Sequence, residues 1–256
     1  MTALAFKLLT SPLLIYLVTL AGRRWGSTAS GFLIGLPLTS GPISFILAYE
    51  YGLGFASQAA VGNLAGEMSN HAFCLTYIFL VRHRSWPICT SLAIGISFVA
   101  TYLLNLVAWQ LWPAFVTLLA VFIVSVRLAP RYPVSGPTLT PPAWDLPGRI
   151  LCATVLVVTI TTLADRLGPQ LSGLISPFPV FCAIFAAFTH AQQGARSVTN
   201  LLRGFIVGSG SYLGFFAIIG AWLPTLGLGL AYLFASLAAI AIGGITFIVT
   251  REKGKL

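Results

Sequence analysis

The sequence predicts an all-α polytopic membrane protein of about nine transmembrane helices, arranged as a 4+1+4 inverted-topology repeat. Three observations predict it. The 256 residues are 57% hydrophobic and only 7% charged, with mean hydropathy +0.93, whereas a soluble domain carries about 25% charged residues. Basic residues fall on every other junction between apolar stretches. The sequence also aligns on itself, ungapped, at an offset of 142 residues.

Nine stretches approach the roughly 20 apolar residues that a membrane-spanning helix needs. They run at about 3–21, 28–49, 55–81, 86–107, 109–126, 148–164, 168–190, 197–222 and 226–249. The first is followed by Arg23-Arg24 and no clean cleavage site, so it reads as a retained helix. Arg82 and Arg84 follow the third, Arg127, Arg131 and Arg149 the fifth, Arg196 the seventh, and Arg251, Lys253 and Lys255 the ninth. The intervening junctions carry Glu50, the pair Asp165/Arg166, or no charge. The positive-inside bias then predicts an outer N-terminus and a cytoplasmic C-terminus, in a bacterial plasma (inner) membrane. Trp25, Trp86, Trp109, Trp112 and Trp222 fall at span ends, as interfacial anchors do. The net charge of +9 is scattered singly or in pairs as loop anchors, which excludes a nucleic-acid-binding stripe. Cys74, Cys89, Cys152 and Cys182 have no CxxC spacing and read as small buried hydrophobes.

At the 142-residue offset, Arg24 meets Arg166, Gly26 Gly168, Pro37 Pro179, Gly52 Gly194, and Gly62 and Gly66 meet Gly204 and Gly208. That is nine identities in the 47 positions from Arg24 to Asn70. Most are Gly, Pro or Ser, the residues that preserve backbone geometry. The expected organisation is repeat 1 over 1–107 and an inverting linker helix over 108–127. A Pro-rich cytoplasmic loop over 128–148 and repeat 2 over 149–256 complete it. Inverted repeats are common in secondary transporters, whose sites lie near the bilayer midplane.

The stretch LSGLISPFPVFCAIFAAFTHAQQGA (171–195) carries a Gly-Leu-Ile-x-x-Phe-Pro run and then Gly194 opening the next helix. It resembles the small four-span membrane proteins called GlpM. The resemblance covers 149–256, and more weakly 7–107, and implies a fused, inverted pair of GlpM-like units. It supplies no catalytic residues.

Spans 2 and 7 hold Pro37 and Pro42, and Pro177 and Pro179, respectively. Each proline removes a helix hydrogen bond, so a kink or short unwound segment is expected. Freed backbone groups at membrane depth are tolerated where they line a cavity. The plain alternative is a packing kink satisfied by Thr39, Ser40 or Ser176. The GxxxG pairs Gly62/Gly66 and Gly204/Gly208 permit close helix approach and predict that spans 3 and 8 cross. Packing within each repeat is the alternative.

Span 3 contains GNLAGEMSNHAF, in which Asn63, Glu67, Asn70 and His71 fall on one helix face. An acid at that depth is costly and marks an interior or cavity-facing position. At the 142-residue offset Glu67 meets Ser209, so the acid is not a requirement of the repeat. Arg203 is the expected cation for Glu67. Together they read as a proton-coupling site, with Arg203 available for an anionic substrate, or as an inert interior pair. His190 reads as interfacial and His83 as solvated.

The expected function is a secondary transporter that moves a small organic solute, an anionic one where Arg203 holds it, by alternating access and couples it to protons. The alternative is a non-transporting scaffold, or an accessory or translocase subunit for lipid-linked envelope synthesis. No HExxH, metal-binding acidic pair or Ser/His dyad argues for an enzyme, and no metal or cofactor is expected. The expected partners are the lipid bilayer, the solute and protons.

Overall fold

A computed structural model describes residues 2–133, 142, 144–159 and 179–252. The described residues are all-α. Seven helices are bounded among them: α1 Thr2–Trp25, α2 Ser27–Gly35, α3 Ser40–Tyr51, α4 Leu53–Leu80, α5 Trp86–Asn105, α6 Leu111–Leu128 and α7 Val180–Glu252. A further helical stretch over 145–159 runs up to residues outside the described set.

This overturns the expected nine-helix, 4+1+4 inverted-repeat arrangement. Four stretches among the described residues are long and apolar enough to cross a membrane: Ser27–Tyr51, Trp86–Asn105, Leu111–Leu128 and Val180–Thr250. The differences have local causes. Expected span 2 is two helices, because the chain leaves helical geometry between Gly35 and Ser40, where Pro37 sits. Pro42 lies in the first turn of α3, where its missing N–H costs no hydrogen bond. Expected span 3 is the long helix α4, but its polar stripe keeps it out of the four. The described part of expected span 7 and all of spans 8 and 9 fall within α7, which non-helical backbone at Gly194 and Gly227 divides into three helical segments; the third folds back on the second, with Phe215 against Tyr232. The first part of expected span 7 lies outside the described residues.

Several helices present apolar residues outward. On α5, Leu92, Ile96, Val99 and Leu103 are all exposed and recur every three or four residues along one face. Repeated over the outer helices, such a surface fits lipid and not water, and the long apolar helices are those of a multi-pass membrane protein.

At the centre stand α4 and the middle of α7. From Val198 to Ser211 every residue of α7 is buried except Arg203, the mark of a helix surrounded on all sides. The closest crossing is made with α2. A Cβ on Gly31 would overlap the Leu201 carbonyl, and one on Gly35 the Phe205 carbonyl. From the other side, a Cβ on Gly204 or Gly208 would overlap the carbonyls of Thr28 or Phe32. The Gly204/Gly208 pair therefore serves α2, and not α4 as the spacing suggested. A Cβ on Gly62 would meet nothing within 4 Å.

One end of the bundle is tied together by polar contacts. Arg23 reaches Asp145 at 3.6 Å, Asn200 and Tyr132 exchange two hydrogen bonds of 3.0 Å, Arg82 bonds Tyr132, and Arg131 reaches the Thr250 carbonyl at 3.4 Å.

The break at Gly194 (φ 79°, ψ −176°) lies in backbone space that is essentially confined to glycine. Gly52, its partner at the 142-residue offset, shares this backbone with φ 91° and ψ 162°. Gly194→Ala is expected to cost about 1–3 kcal/mol, measured as a lower thermal midpoint in detergent. Gly229→Ala, helical and facing open space, should leave the midpoint unchanged or raised.

Candidate functional site

Glu67 sits halfway along α4 and is 4% exposed. Asn70, one turn on, donates from Nδ2 to Glu67 Oε2 at 2.8 Å. Glu67 Oε1 and Asn70 Oδ1 are buried and have no hydrogen-bond partner among the described residues. Asn63, one turn before, donates to the Ala59 carbonyl at 3.1 Å and accepts from the Tyr212 hydroxyl of α7 at 3.2 Å.

These side chains border a cavity of about 690 Å³. The non-helical segment between α2 and α3 contributes Leu36 and Thr39 to its lining, and Ser40, the first residue of α3, follows them. Tyr212 lines the same cavity. Gly62 and Gly66 line the cavity on the α4 side, so their small size keeps space open beside Glu67. Pro179, immediately before α7, lines it too, and its carbonyl accepts from Ala183 N–H at 2.8 Å. Ser176 and Pro177 lie outside the described residues.

His71 points elsewhere on α4. The Ser209 hydroxyl donates to the Ile206 carbonyl at 2.8 Å, which commits its one proton. His71 Nε2, 3.0 Å from Ser209 Oγ, is then the donor of that bond. Ser209, the residue that meets Glu67 at the 142-residue offset, is thus the histidine's anchor between α4 and α7.

Arg203 is not the partner of Glu67. Its guanidinium donates to the carbonyls of Val126, at 3.2 Å, and Ala129, at the C-terminal end of α6. Those carbonyls lack helical partners and carry the negative end of the helix dipole, so they hold the cation there. Arg203 lines a different cavity. Among the described residues, the Glu67 cavity is lined by no Arg or Lys.

Sequence reasoning missed two features. Tyr212 enters the site from α7, and only packing brings it there. The second is a buried ionic cluster at the basic end of the bundle. Asp145 Oδ1 accepts from Arg149 Nε and from Gln192 Nε2, each at 2.8 Å. The Arg149 guanidinium lies over the rings of Phe185 and Phe188, at 4.8 and 5.2 Å. The signal is an acid–base pair four residues apart at a helix start, but the loop expected over 128–148 covers Asp145. Asp145→Asn strips the counter-charge from Arg149, which is 3% exposed. A loss of about 3–5 kcal/mol is expected, read as thermal unfolding in detergent. Arg23→Gln, removing the longer and more exposed contact, should cost no more than about 1 kcal/mol.

Cys74 and Cys182 face each other across α4 and α7 with sulfurs 3.6 Å apart, while Cys152 is exposed and not buried. No group of three or more His, Cys, Asp or Glu that could hold a metal ion occurs among the described residues.

No family model, curated protein or solved structure matches the chain.

Proposed function

We propose that the protein is an integral membrane transporter that moves a small polar solute through the cavity beside Glu67 and couples that movement to protons. The observation that carries this reading is a buried carboxyl with one oxygen lacking a partner among the described residues, opening on a cavity beside a broken helix. Intramembrane acids of this kind mark ion and proton pathways, and discontinuous helices hold solutes with their freed backbone groups.

The chemistry of the lining revises the solute class. With Arg203 held elsewhere, an anion would meet the Glu67 carboxyl with no compensating cation among the described lining residues. A neutral polar or cationic solute fits better, held by Asn63, Thr39, Ser40 and Tyr212 with Glu67 as the proton-exchanging group. The basic end of the bundle, with Arg23, Arg82, Arg131 and Arg149, supports a cytoplasmic position by the positive-inside bias. The proposed orientation keeps an outer N-terminus and an inner C-terminus, supported by Arg23 at the end of α1 and Thr250 both lying at that basic end. The membrane proposed is the bacterial plasma membrane.

The test compares metabolites inside and outside cells producing equal amounts of the wild type and Glu67→Gln. A solute that accumulates or disappears only with the wild type names the substrate class. Identical profiles, with both proteins folded in the membrane, would overturn the coupling role and bring the scaffold or accessory-subunit alternative forward.

A further inference from the structure

A second and larger cavity, about 1380 Å³, lies on the opposite side of the α2–α3 break from Glu67. It is a groove between α2–α3 and the last part of α7. The two walls run antiparallel: Phe32 packs on Phe247 with ring centroids 5.0 Å apart, and Phe45 on Tyr232 at 5.1 Å. The lining is overwhelmingly apolar and includes Ile240, which is 73% exposed. Its charged lining residues, Arg131 and Arg203, lie towards the Trp25 and Thr250 end. Arg203 donates to the carbonyl of Ala129, two residues before Arg131, so both cations sit at one end of the groove. The bonds that position Arg203 are to neutral carbonyls, which leave its charge in place.

We infer that this groove binds an anionic phospholipid, with the phosphate at Arg131 and Arg203 and an acyl chain along the apolar wall. Charge complementarity sets the headgroup: two adjacent cations at one end of an apolar groove suit a phosphate, and basic pockets between membrane helices on the cytoplasmic side bind such lipids. Length sets the rest. From Phe247 to Tyr232 the helix rises about 22 Å at 1.5 Å per residue, a span comparable with a long acyl chain. Trp25 borders the headgroup end and is 67% exposed, the position an interfacial anchor takes. This inference does not rest on the transport proposal, because the groove and the Glu67 cavity use different polar residues.

The experiment places the full chain in phosphatidylcholine bilayers with trace spin-labelled phosphatidylglycerol or phosphatidylcholine and measures the immobilised fraction by electron spin resonance. The wild type should prefer phosphatidylglycerol by up to about thirtyfold, the equivalent of about 1 kcal/mol for each of two arginines near a membrane surface. Arg131→Gln should lose most of that preference, and Arg131→Gln/Arg203→Gln all of it. Arg84→Gln/Arg127→Gln, with the same change in net charge but outside the groove, should keep it. Gly244→Phe, at a lining position where a Cβ meets nothing within 4 Å, should displace the immobilised phosphatidylglycerol with both arginines intact. It also reports independently if the loss of Arg203 unseats α6. An absent preference in the wild type, or equal losses in the groove and control variants, would overturn the proposal. So would a shift of Gly244→Phe from dimer to monomer with unchanged lipid selectivity, since the groove would then seat a second copy of the chain.

Discussion

Gly31→Leu is expected to leave almost no folded protein in the membrane fraction. At Gly31 the first atom of any side chain would fall on the Leu201 carbonyl. A backbone atom of a buried helix cannot swing aside as the end of a side chain can. Overpacking an ordinary core costs about 1–3 kcal/mol, and an overlap with backbone lies at or beyond the top of that range. The only relief is to move α2 away from α7, which also opens the contacts at Gly35, Gly204 and Gly208. Membrane helices gain much of their association energy from such close packing, so the loss spreads along the whole crossing. Gly62→Leu is the control, because a Cβ there meets nothing within 4 Å. The measurement is the monodisperse yield in mild detergent, and near-wild-type recovery of Gly31→Leu would refute the packing described for α2 and α7.

Glu67→Gln should carry the largest functional effect at preserved fold. The amide keeps the volume of the carboxyl and an oxygen that can accept from Asn70, as Glu67 does at 2.8 Å. What it removes is the exchangeable proton. Once the solute is identified, proton-driven flux in proteoliposomes should fall by at least about tenfold, equivalent to about 1.4 kcal/mol in a barrier, while the thermal midpoint stays close to the wild type. Arg203→Gln should leave the coupling intact, because Arg203 contributes to the other cavity. A Glu67→Gln protein that pumps at the wild-type rate would end the proton-exchange assignment.

The polar face of α4 was legible because a helix fixes the relative directions of its own residues. Spacing alone puts Asn63, Glu67, Asn70 and His71 on one face, and the first three line one cavity. His71 adjoins that face but turns to Ser209, a distinction made by the packing of α7. The break in expected span 2 was likewise legible from Pro37, since a missing N–H is a property of the residue itself. Pairings between distant residues were not. Arg203 was matched with Glu67 on charge, but the open carbonyls at the end of α6 stand nearer. The GxxxG pairs announced close approach without naming a partner, and Gly204/Gly208 found α2.

By itself, the sequence determined that the described residues are all-α and include long apolar helices, because hydropathy and periodicity are summed along the chain. It also determined where a costly acid lies within one of those helices. The tertiary structure alone decided how many separate helices the apolar stretches become, which helix fills each glycine notch, and that Glu67 and Arg203 border different cavities. The physical reason is that these outcomes depend on which groups from remote parts of the chain reach a donor, an acceptor or a void first.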